Sequence, residues 1–343
     1  MSKMTSLKVA TVQFQHQANN KKYNLLIMEK FIEQAAIQQV KILTFPEMCI
    51  TGYWHVPKLS STDVSALAEP IVGSPSLKLI RSLAVKHQML IGAGLIERAD
   101  DGRLYNAYVA CMPDGSVQTH RKLHAFEHSS ISSGDSFTVF DTPWGVKAGI
   151  LICWDNNLVE NVRATALLGA DILLAPHQTG GTDSRSPYAM KPIPLALWAE
   201  RETRKEEITA AFKGPNGREW LMRWLPARAH DNGLFILFSN GVGADDDEVR
   251  TGNAMILDPY GRIINETWAA EDIMVSAELD LNLLAMSTGR RWIHGRRPDL
   301  YQILTQPQGY ERDAISARFS DETPQPVAAI RTHLSARFLG GGG

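Results

Sequence analysis

Three apolar runs stop abruptly at polar residues: Phe45-Pro46-Glu47, Leu151-Ile152-Cys153-Trp154-Asp155 and Leu174-Ala175-Pro176-His177. In open α/β sheets ligands bind beyond the carboxyl ends of strands, so these tips are candidates for one site. Taken singly, each polar residue also reads as the first solvated position after a strand. Cys153 carries the sharpest chemistry. A thiol is a nucleophile only as thiolate, and a position just ahead of a helix N-terminus favours that form. Asp155 to Asn157 supply capping residues directly behind Cys153, which puts the thiol on a strand-to-helix elbow. Its plainer role is a small core hydrophobe, the role expected for Cys111 within Tyr108–Met112 and for Cys49. A nucleophilic thiol also needs a base and a group that bears the charge developing on the substrate. Glu47 fits the first need. The segment His120-Arg121-Lys122-Leu123-His124 offers Lys122 for the second, with a solvated lysine as the alternative.

These tips require strands and helices behind them. In Lys8–Gln15, Ala10, Val12 and Phe14 alternate with Thr11 and Gln13, the period of a strand. Tyr23–Gln39 then places Leu25, Met28, Phe31, Ile32, Ala35 and Ala36 at helical spacing, and Val40–Phe45 is a β-rich run feeding Glu47. Ser74-Pro75 is an N-cap and first-turn pair for a helix carrying Leu77, Ile80 and Ala84. Met89–Ile96 and Leu104–Met112 are the next strands, the second closed by Pro113-Asp114-Gly115. Val146–Cys153 leads into a helix through Leu158, Val162, Ala166 and Leu167 that stops at Gly169. Ala170–Ala175 and Leu234–Ser239 are nearly continuous apolar runs, as in strands covered on both faces. Residues 180–225 break the rhythm with Gly180-Gly181-Thr182-Asp183, a charged helix near Leu195–Phe212, and Gly214-Pro215-Asn216-Gly217; they read as an insertion near the working edge. Asp245–Glu248 reads as a solvated acidic loop, and Gly340–Gly343 as a flexible end. Strands alternating with helices predict an α/β (α+β) domain with helices layered over sheet.

Composition bounds the function. The 343 residues carry 35 Lys+Arg against 37 Asp+Glu, a net charge of −2, which gives no basic face for a nucleic acid. No stretch of 18 uncharged apolar residues predicts a membrane span, and the N-terminus has no run of signal-peptide length. Three cysteines at wide spacing make neither a disulfide framework nor a CxxC pair, which points to a reducing, cytoplasmic setting.

Phe45-Pro46-Glu47 with Thr51-Gly52-Tyr53, then Arg121-Lys122-Leu123-His124, then Gly149–Asp155, in that order, resemble the nitrilase superfamily of carbon–nitrogen hydrolases. Val9–Gln15, Gly169–Pro176 and Gly252–Gly261 also read like it, so the resemblance covers most of the chain. It implies an α-β-β-α four-layer sandwich occupying residues 1–300, with a C-terminal extension at 301–343. It further implies a Glu–Lys–Cys triad, with Glu47 as general base, Lys122 as the oxyanion-stabilising cation and Cys153 as nucleophile. The second glutamate often found after the lysine would be Glu127. Members usually pair into homodimers or higher homo-oligomers and need no cofactor. Two departures stand out: Leu158-Val159-Glu160 replaces an aromatic-Pro-Glu, and Trp154-Asp155 replaces the Trp-Glu of true nitrilases.

The reaction expected is hydrolysis of a non-peptide carbon–nitrogen bond in a small amide or N-carbamoyl compound, with ammonia released through a thioester on Cys153. The Trp154 backbone N–H would support the oxyanion beside Lys122. The alternative is a nitrile converted to acid and ammonia. Tyr53, Trp54 and His177 are candidate substrate contacts, with aromatic core packing as the other role for the first two. A rival from another class is a zinc hydrolase: His124-Ala125-Phe126-Glu127-His128 fits H-x-x-E-H, which on a helix sets two histidines one turn apart with Glu127 as base. The loop-like Ser129–Gly134 that follows argues against a long helix there. A third class, a non-catalytic scaffold of the same fold, would not need Glu47, Lys122 and Cys153 together. Gly92-Ala93-Gly94 is followed by Glu97 where a dinucleotide fingerprint needs its third glycine.

Overall fold

The computed structural model describes residues 4–181 and 187–319. Thr182 and Asp183 of the expected loop and the Gly340–Gly343 tail lie outside the described residues. The chain divides after Gly295 into two compact units. The described part of the second contains two short 3-10 turns, Pro298–Leu300 and Gln302–Thr305, and the helix Ala314–Phe319.

In the first unit the strands are β1 (Ser6–Phe14), β2 (Ile42–Thr44), β3 (Leu90–Arg98), β4 (Leu104–Cys111), β5 (Val117–Arg121), β6 (Ile131–Ser132) and β7 (Thr138–Asp141), then β8 (Lys147–Ile150), β9 (Ile172–His177), β10 (Phe235–Asp245), β11 (Glu248–Thr251), β12 (Met255–Leu257), β13 (Ile263–Glu266) and β14 (Ile273–Asp280). Hydrogen-bonded neighbours form two runs, β5-β4-β3-β2-β1-β14 and β13-β12-β10-β9-β8-β7. They are joined where β1 meets β10 in parallel at Gln13–Asn240 and Phe14–Gly241. The helices are α1 (Lys21–Ile37), α2 (Ser61–Leu67), α3 (Pro75–His87), α4 (Val159–Leu167), α5 (Leu195–Ala199), α6 (Lys205–Lys213), α7 (Arg218–Met222), α8 (Leu225–Asn232) and α9 (Thr288–His294).

Strand alternation builds the layers. Val9, Ile42, Leu90 and Tyr108 from the first run share one core with Ile150, Ile172, Phe235 and Ile256 from the second. Their sequence neighbours point the other way. Ala10, Leu43, Ile91 and Val109 pack against Met28 and Ile32 of α1 and Leu77 and Ile80 of α3. Leu173, Ile236 and Met255 pack against Val162 of α4 and Leu225 and Ala229 of α8. The central strands are therefore apolar on both faces, and the product is an α-β-β-α sandwich, as the family resemblance implied. Burying each of these aliphatic or aromatic side chains stabilises the fold by about 1.5–3 kcal/mol.

Local signals act where they were read. The Ser74 side chain caps α3 by accepting from the Leu77 N–H, with Pro75 in the first turn. One expectation fails: the charged helix near Leu195–Phe212 is two helices, α5 and α6, separated by residues 200–204. Glu200, Arg201, Glu202 and Arg204 offer no apolar face there, whereas α5 buries Leu197 and Trp198 and α6 buries Ile208 and Phe212.

A close approach in β3 sets the site's first strand tip. A Cβ on Gly94 would stand 2.2 Å from the Met48 backbone nitrogen and 2.9 Å from the Glu47 carbonyl carbon. Gly94→Ala should therefore push the Glu47 segment outward, lowering unfolding stability by about 2 kcal/mol or more and activity with it. Denaturant unfolding and initial rates measure both, and wild-type values for each would contradict the packing described.

Candidate active site

The carboxyl ends of β2 and β8 come from opposite runs of the sandwich, and the turn after β5 sits between them. Glu47 follows β2 on a backbone held from several sides. The Phe45 carbonyl accepts from Tyr108 Oη at 2.8 Å and Ser239 Oγ at 2.8 Å, and the Glu47 carbonyl accepts from Gln178 Nε2 at 2.7 Å. Lys122 follows β5, its N–H donating to the Asn106 carbonyl at 2.8 Å. Cys153 opens a five-residue 3-10 turn, Cys153–Asn157, before α4. Its φ of +49° is the left-handed conformation that non-glycine residues seldom adopt, a local strain held by the surroundings. The long helix thus begins at Val159 and not directly after Cys153 as the capping residues suggested.

The side chains of Glu47, Lys122 and Glu127 are fully buried and meet in one cluster. Lys122 Nζ donates to Glu47 Oε1 at 2.7 Å and to Glu127 Oε1. Asn106 Nδ2 donates to the same two oxygens, at 2.7 and 3.1 Å. Glu127 Oε2 accepts from the Phe126 N–H at 3.1 Å, while Glu47 Oε2 is buried with no hydrogen-bond partner. Burial holds the Glu47 carboxyl well above the usual carboxylate range; Cys153 and Glu127 add to the rise, and Lys122 opposes it. Burial alone would pull the Lys122 ammonium down, but Glu127, Glu47, Tyr53 and Cys153 outweigh it and hold it above its ordinary value. The ammonium also lies 4.3 Å from the centre of the Phe126 ring.

The elbow is tied to the lysine turn by Asp155. Its carboxylate accepts from the backbone N–H groups of Leu123 (3.1 Å), His124 (2.9 Å) and Ile152 (3.2 Å). From the other side, Arg228 of α8 donates to the Asn156 carbonyl at 3.0 Å and the Asn157 carbonyl at 2.7 Å.

The remaining candidates divide. Tyr53 is buried with its ring centre 6.0 Å from Lys122 Nζ, and Trp54 stacks on it at 5.7 Å. Trp154 meets the Phe126 ring edge-on at 5.2 Å. His177 lies beneath the elbow, between Trp224 and Phe238, only 2% exposed. Burial drives its pKa down to about 3, so the ring is neutral at neutral pH. Its Nε2 faces Asn156 Nδ2 at 3.1 Å and its Nδ1 faces Thr179 Oγ1 at 3.1 Å. Cys49 and Cys111 are buried in the helix-facing core, and burial pushes both thiols up to about 12.

Two expectations are corrected. Residues 124–128 form an irregular turn, not a helix, so His124 and His128 are not one helical turn apart. His128 Nε2 meets the Leu59 carbonyl, His124 Nε2 meets Asn161, and Glu127 is committed to Lys122 and Asn106. Among the described residues no group of three or more His, Cys, Asp or Glu is placed to hold a metal. The acidic run Asp245–Glu248 is only partly solvated. Asp245 is buried, pairs with His16 at 3.0 Å and Arg250 at 2.9 Å, and accepts the Trp54 N–H at 3.2 Å. Asp246 and Asp247 remain outside, paired with Lys58. Asn106 and Asp245 were both missed; a β-depleted asparagine within the apolar strand Leu104–Cys111 was the available signal for the first.

Comparison with known proteins identifies the family. The profile of the carbon-nitrogen hydrolase family matches residues 8–286. An (R)-stereoselective amidase of Pseudomonas sp. is 30% identical over 282 residues, 81% of this chain and 86% of that protein. A citrullinase of Francisella tularensis is 31% identical over 319 residues, 88% of this chain and 99% of that protein. The crystal structure of a carbon-nitrogen hydrolase from Helicobacter pylori superposes with a TM-score of 0.71 at 22% identity, covering 88% of this chain and 99% of that one. The chain belongs to the carbon–nitrogen hydrolase family of the nitrilase superfamily, and it is an enzyme that hydrolyses carbon–nitrogen bonds.

Asp155→Ala would leave three backbone N–H groups without their acceptor. The expected loss is about 3 kcal/mol of unfolding stability, with Asp155→Asn intermediate because one acceptor oxygen remains. Urea unfolding midpoints equal to wild type in both variants would show that the elbow is held by other contacts.

Proposed function

We propose that this enzyme hydrolyses a small amide or N-carbamoyl compound through a covalent Cys153 thioester, with Glu47, Lys122 and Glu127 completing the catalytic group. The observation that carries the reading is the one unpartnered carboxylate oxygen of the buried cluster, Glu47 Oε2, on a carboxyl that burial and then Cys153 hold above its usual range. That oxygen accepts the Sγ proton as Sγ attacks the carbonyl carbon, and the C=O pair moves onto oxygen. Lys122, with the Trp154 backbone N–H, stabilises the oxyanion. Collapse re-forms the carbonyl and breaks the carbon–nitrogen bond, while the proton passes from Glu47 to the leaving nitrogen and ammonia departs. Water, losing its proton to Glu47 beside Glu127, then attacks the thioester; the acid is released and Glu47 returns the proton to Cys153. The amide class is favoured by the names of the relatives, an amidase and a citrullinase, each at least 30% identical. Tyr53 beside Lys122, Trp54 stacked on it and Trp154 next to Cys153 in the chain supply an aromatic wall for the acyl group, and His177 supports the elbow from below.

Ammonia release is measured across simple amides, N-carbamoyl amines and nitriles, with the trapped adduct located by mass spectrometry. Turnover of an amide or carbamoyl compound with the adduct on Cys153 is expected, and Cys153→Ala should lose turnover by at least about a thousandfold while keeping its fold. Release from nitriles alone, or turnover surviving in Cys153→Ala, contradicts the proposal.

The pH profile provides a separate check. Glu47 acts as base only when ionised, so kcat/KM falls as pH drops through its raised pKa. The acidic limb should lie above the ordinary glutamate value of about 4.3. A limb at that value would mean that a different, solvated carboxylate controls the rate.

A further inference from the structure

Two carboxylates meet at the buried lysine, and the partners of their four oxygens are unequally shared. Lys122 Nζ takes both Oε1 atoms, Asn106 Nδ2 takes the same two, and the Phe126 N–H takes Glu127 Oε2. An ionised carboxylate only accepts, so the Asn106 amide must turn its nitrogen to the pair. Asn106 itself is wholly buried in β4, between Tyr105 and Ala107. Its backbone carbonyl accepts the Lys122 N–H at 2.8 Å, and its own strand position pairs with Ile96 of β3. One residue thus fixes the lysine through its main chain and both glutamates through its side chain.

We propose that Asn106 is a positioning residue that selects Glu47 Oε2 as the proton acceptor for Cys153. By occupying Oε1 of Glu47 together with Lys122, it leaves the second oxygen, which no other group holds, as the one available to take the thiol proton. By bridging to Glu127 Oε1 at the same time, it lets two buried carboxylates sit on one ammonium with a neutral donor sharing their charge. The proposal rests on Glu47 acting as base toward Cys153. It adds that the amide, which touches no reacting atom, sets both the orientation and the working pH of that base.

The test follows Cys153 alkylation by iodoacetamide against pH, read by intact-protein and peptide mass spectrometry, alongside the kcat/KM profile. Wild type, Asn106→Ala and Asn106→Asp are compared. Asn106→Ala removes the shared donor, so the carboxylates are less well satisfied when ionised. The acidic midpoint of alkylation and of kcat/KM should move up by about one pH unit, with kcat at neutral pH down about tenfold or more. Asn106→Asp keeps the shape but adds a third acid, and should move the midpoint further in the same direction. A purely structural asparagine would lower thermal stability and leave the midpoints where they were, which overturns the inference. Should either variant fail to fold, the wild-type Asn106 side-chain amide resonances serve instead: they should titrate with the alkylation midpoint, and a flat response overturns the inference. If wild-type Cys153 reacts no faster than Cys49 and Cys111, the base–nucleophile reading itself fails, and the Asn106 role with it.

Discussion

A lysine ammonium with no exposure to solvent, shared by two equally buried carboxylates, is the constraint around which this molecule is organised. Removing each such charge from water costs several kcal/mol, and only near-ideal geometry with every lone pair accounted for offsets it. The fold meets that demand for all but two acceptors of the cluster, Glu47 Oε2 and Asn106 Oδ1. Lys122 spends its donors on Glu47 and Glu127, Asn106 supplies one more donor, and the Phe126 ring faces the ammonium. The single carboxylate oxygen left without a partner belongs to Glu47. In a cluster this closed, an unsatisfied acceptor is expensive, and enzymes tolerate that expense where the acceptor has work to do.

Such a cluster cannot be built on one element. Glu47 arrives on a strand of the first run, Lys122 on the turn after β5, and Cys153 on the end of a strand in the second run. The sandwich core between the runs, from Val9 to Ile256, fixes their separation, and the two helix layers keep each sheet from shifting. Short polar ties then set the fine geometry: Asp155 binds elbow to lysine turn, Arg228 reaches the elbow from α8, and Gln178 grips the Glu47 carbonyl. Asp245 and His16 brace the backbone of Tyr53 and Trp54 at the edge of the same site. Strained backbone at Met48 (φ 44°) and Cys153 (φ 49°) persists because these ties over-determine it.

Much of this was legible in the residue pattern. Alternation along β1 and the near-continuous apolar runs of β9 and β10 announced buried strands, and Ser74-Pro75 announced α3, because burial and capping are local requirements that leave local marks. Glu47, Lys122 and Cys153 were singled out because each ends or follows such a strand in a recognisable order, and the structure brings Glu47 and Lys122 into one buried pair. What misled was composition read without a third dimension. Asp245 looked solvated because three acidic neighbours follow or adjoin it, yet β10 carries it inward to His16 and Arg250. The H-x-x-E-H pattern looked like a metal helix, yet Glu127 finds a better partner in a lysine five residues earlier. The continuous helix expected near Leu195–Phe212 breaks because residues 200–204 bring no apolar side chain to the cluster in which Trp198 of one half stacks on Phe212 of the other.

The sequence by itself determined the layered fold, the elbow that carries Cys153 and the class of chemistry, since each depends on residue type and on order along the chain. Only the tertiary structure decided which carboxylate oxygen of the buried cluster is left without a partner, that Asn106 bridges the two glutamates and Asp155 ties the elbow to the lysine turn, and that His177 lies beneath the elbow. Those outcomes depend on hydrogen bonds between residues tens of positions apart, such as Asn106 with Glu47 and Asp155 with Leu123. A hydrogen bond is satisfied or lost over a few tenths of an ångström, and no spacing along a chain specifies distance to that precision until the sheets have packed.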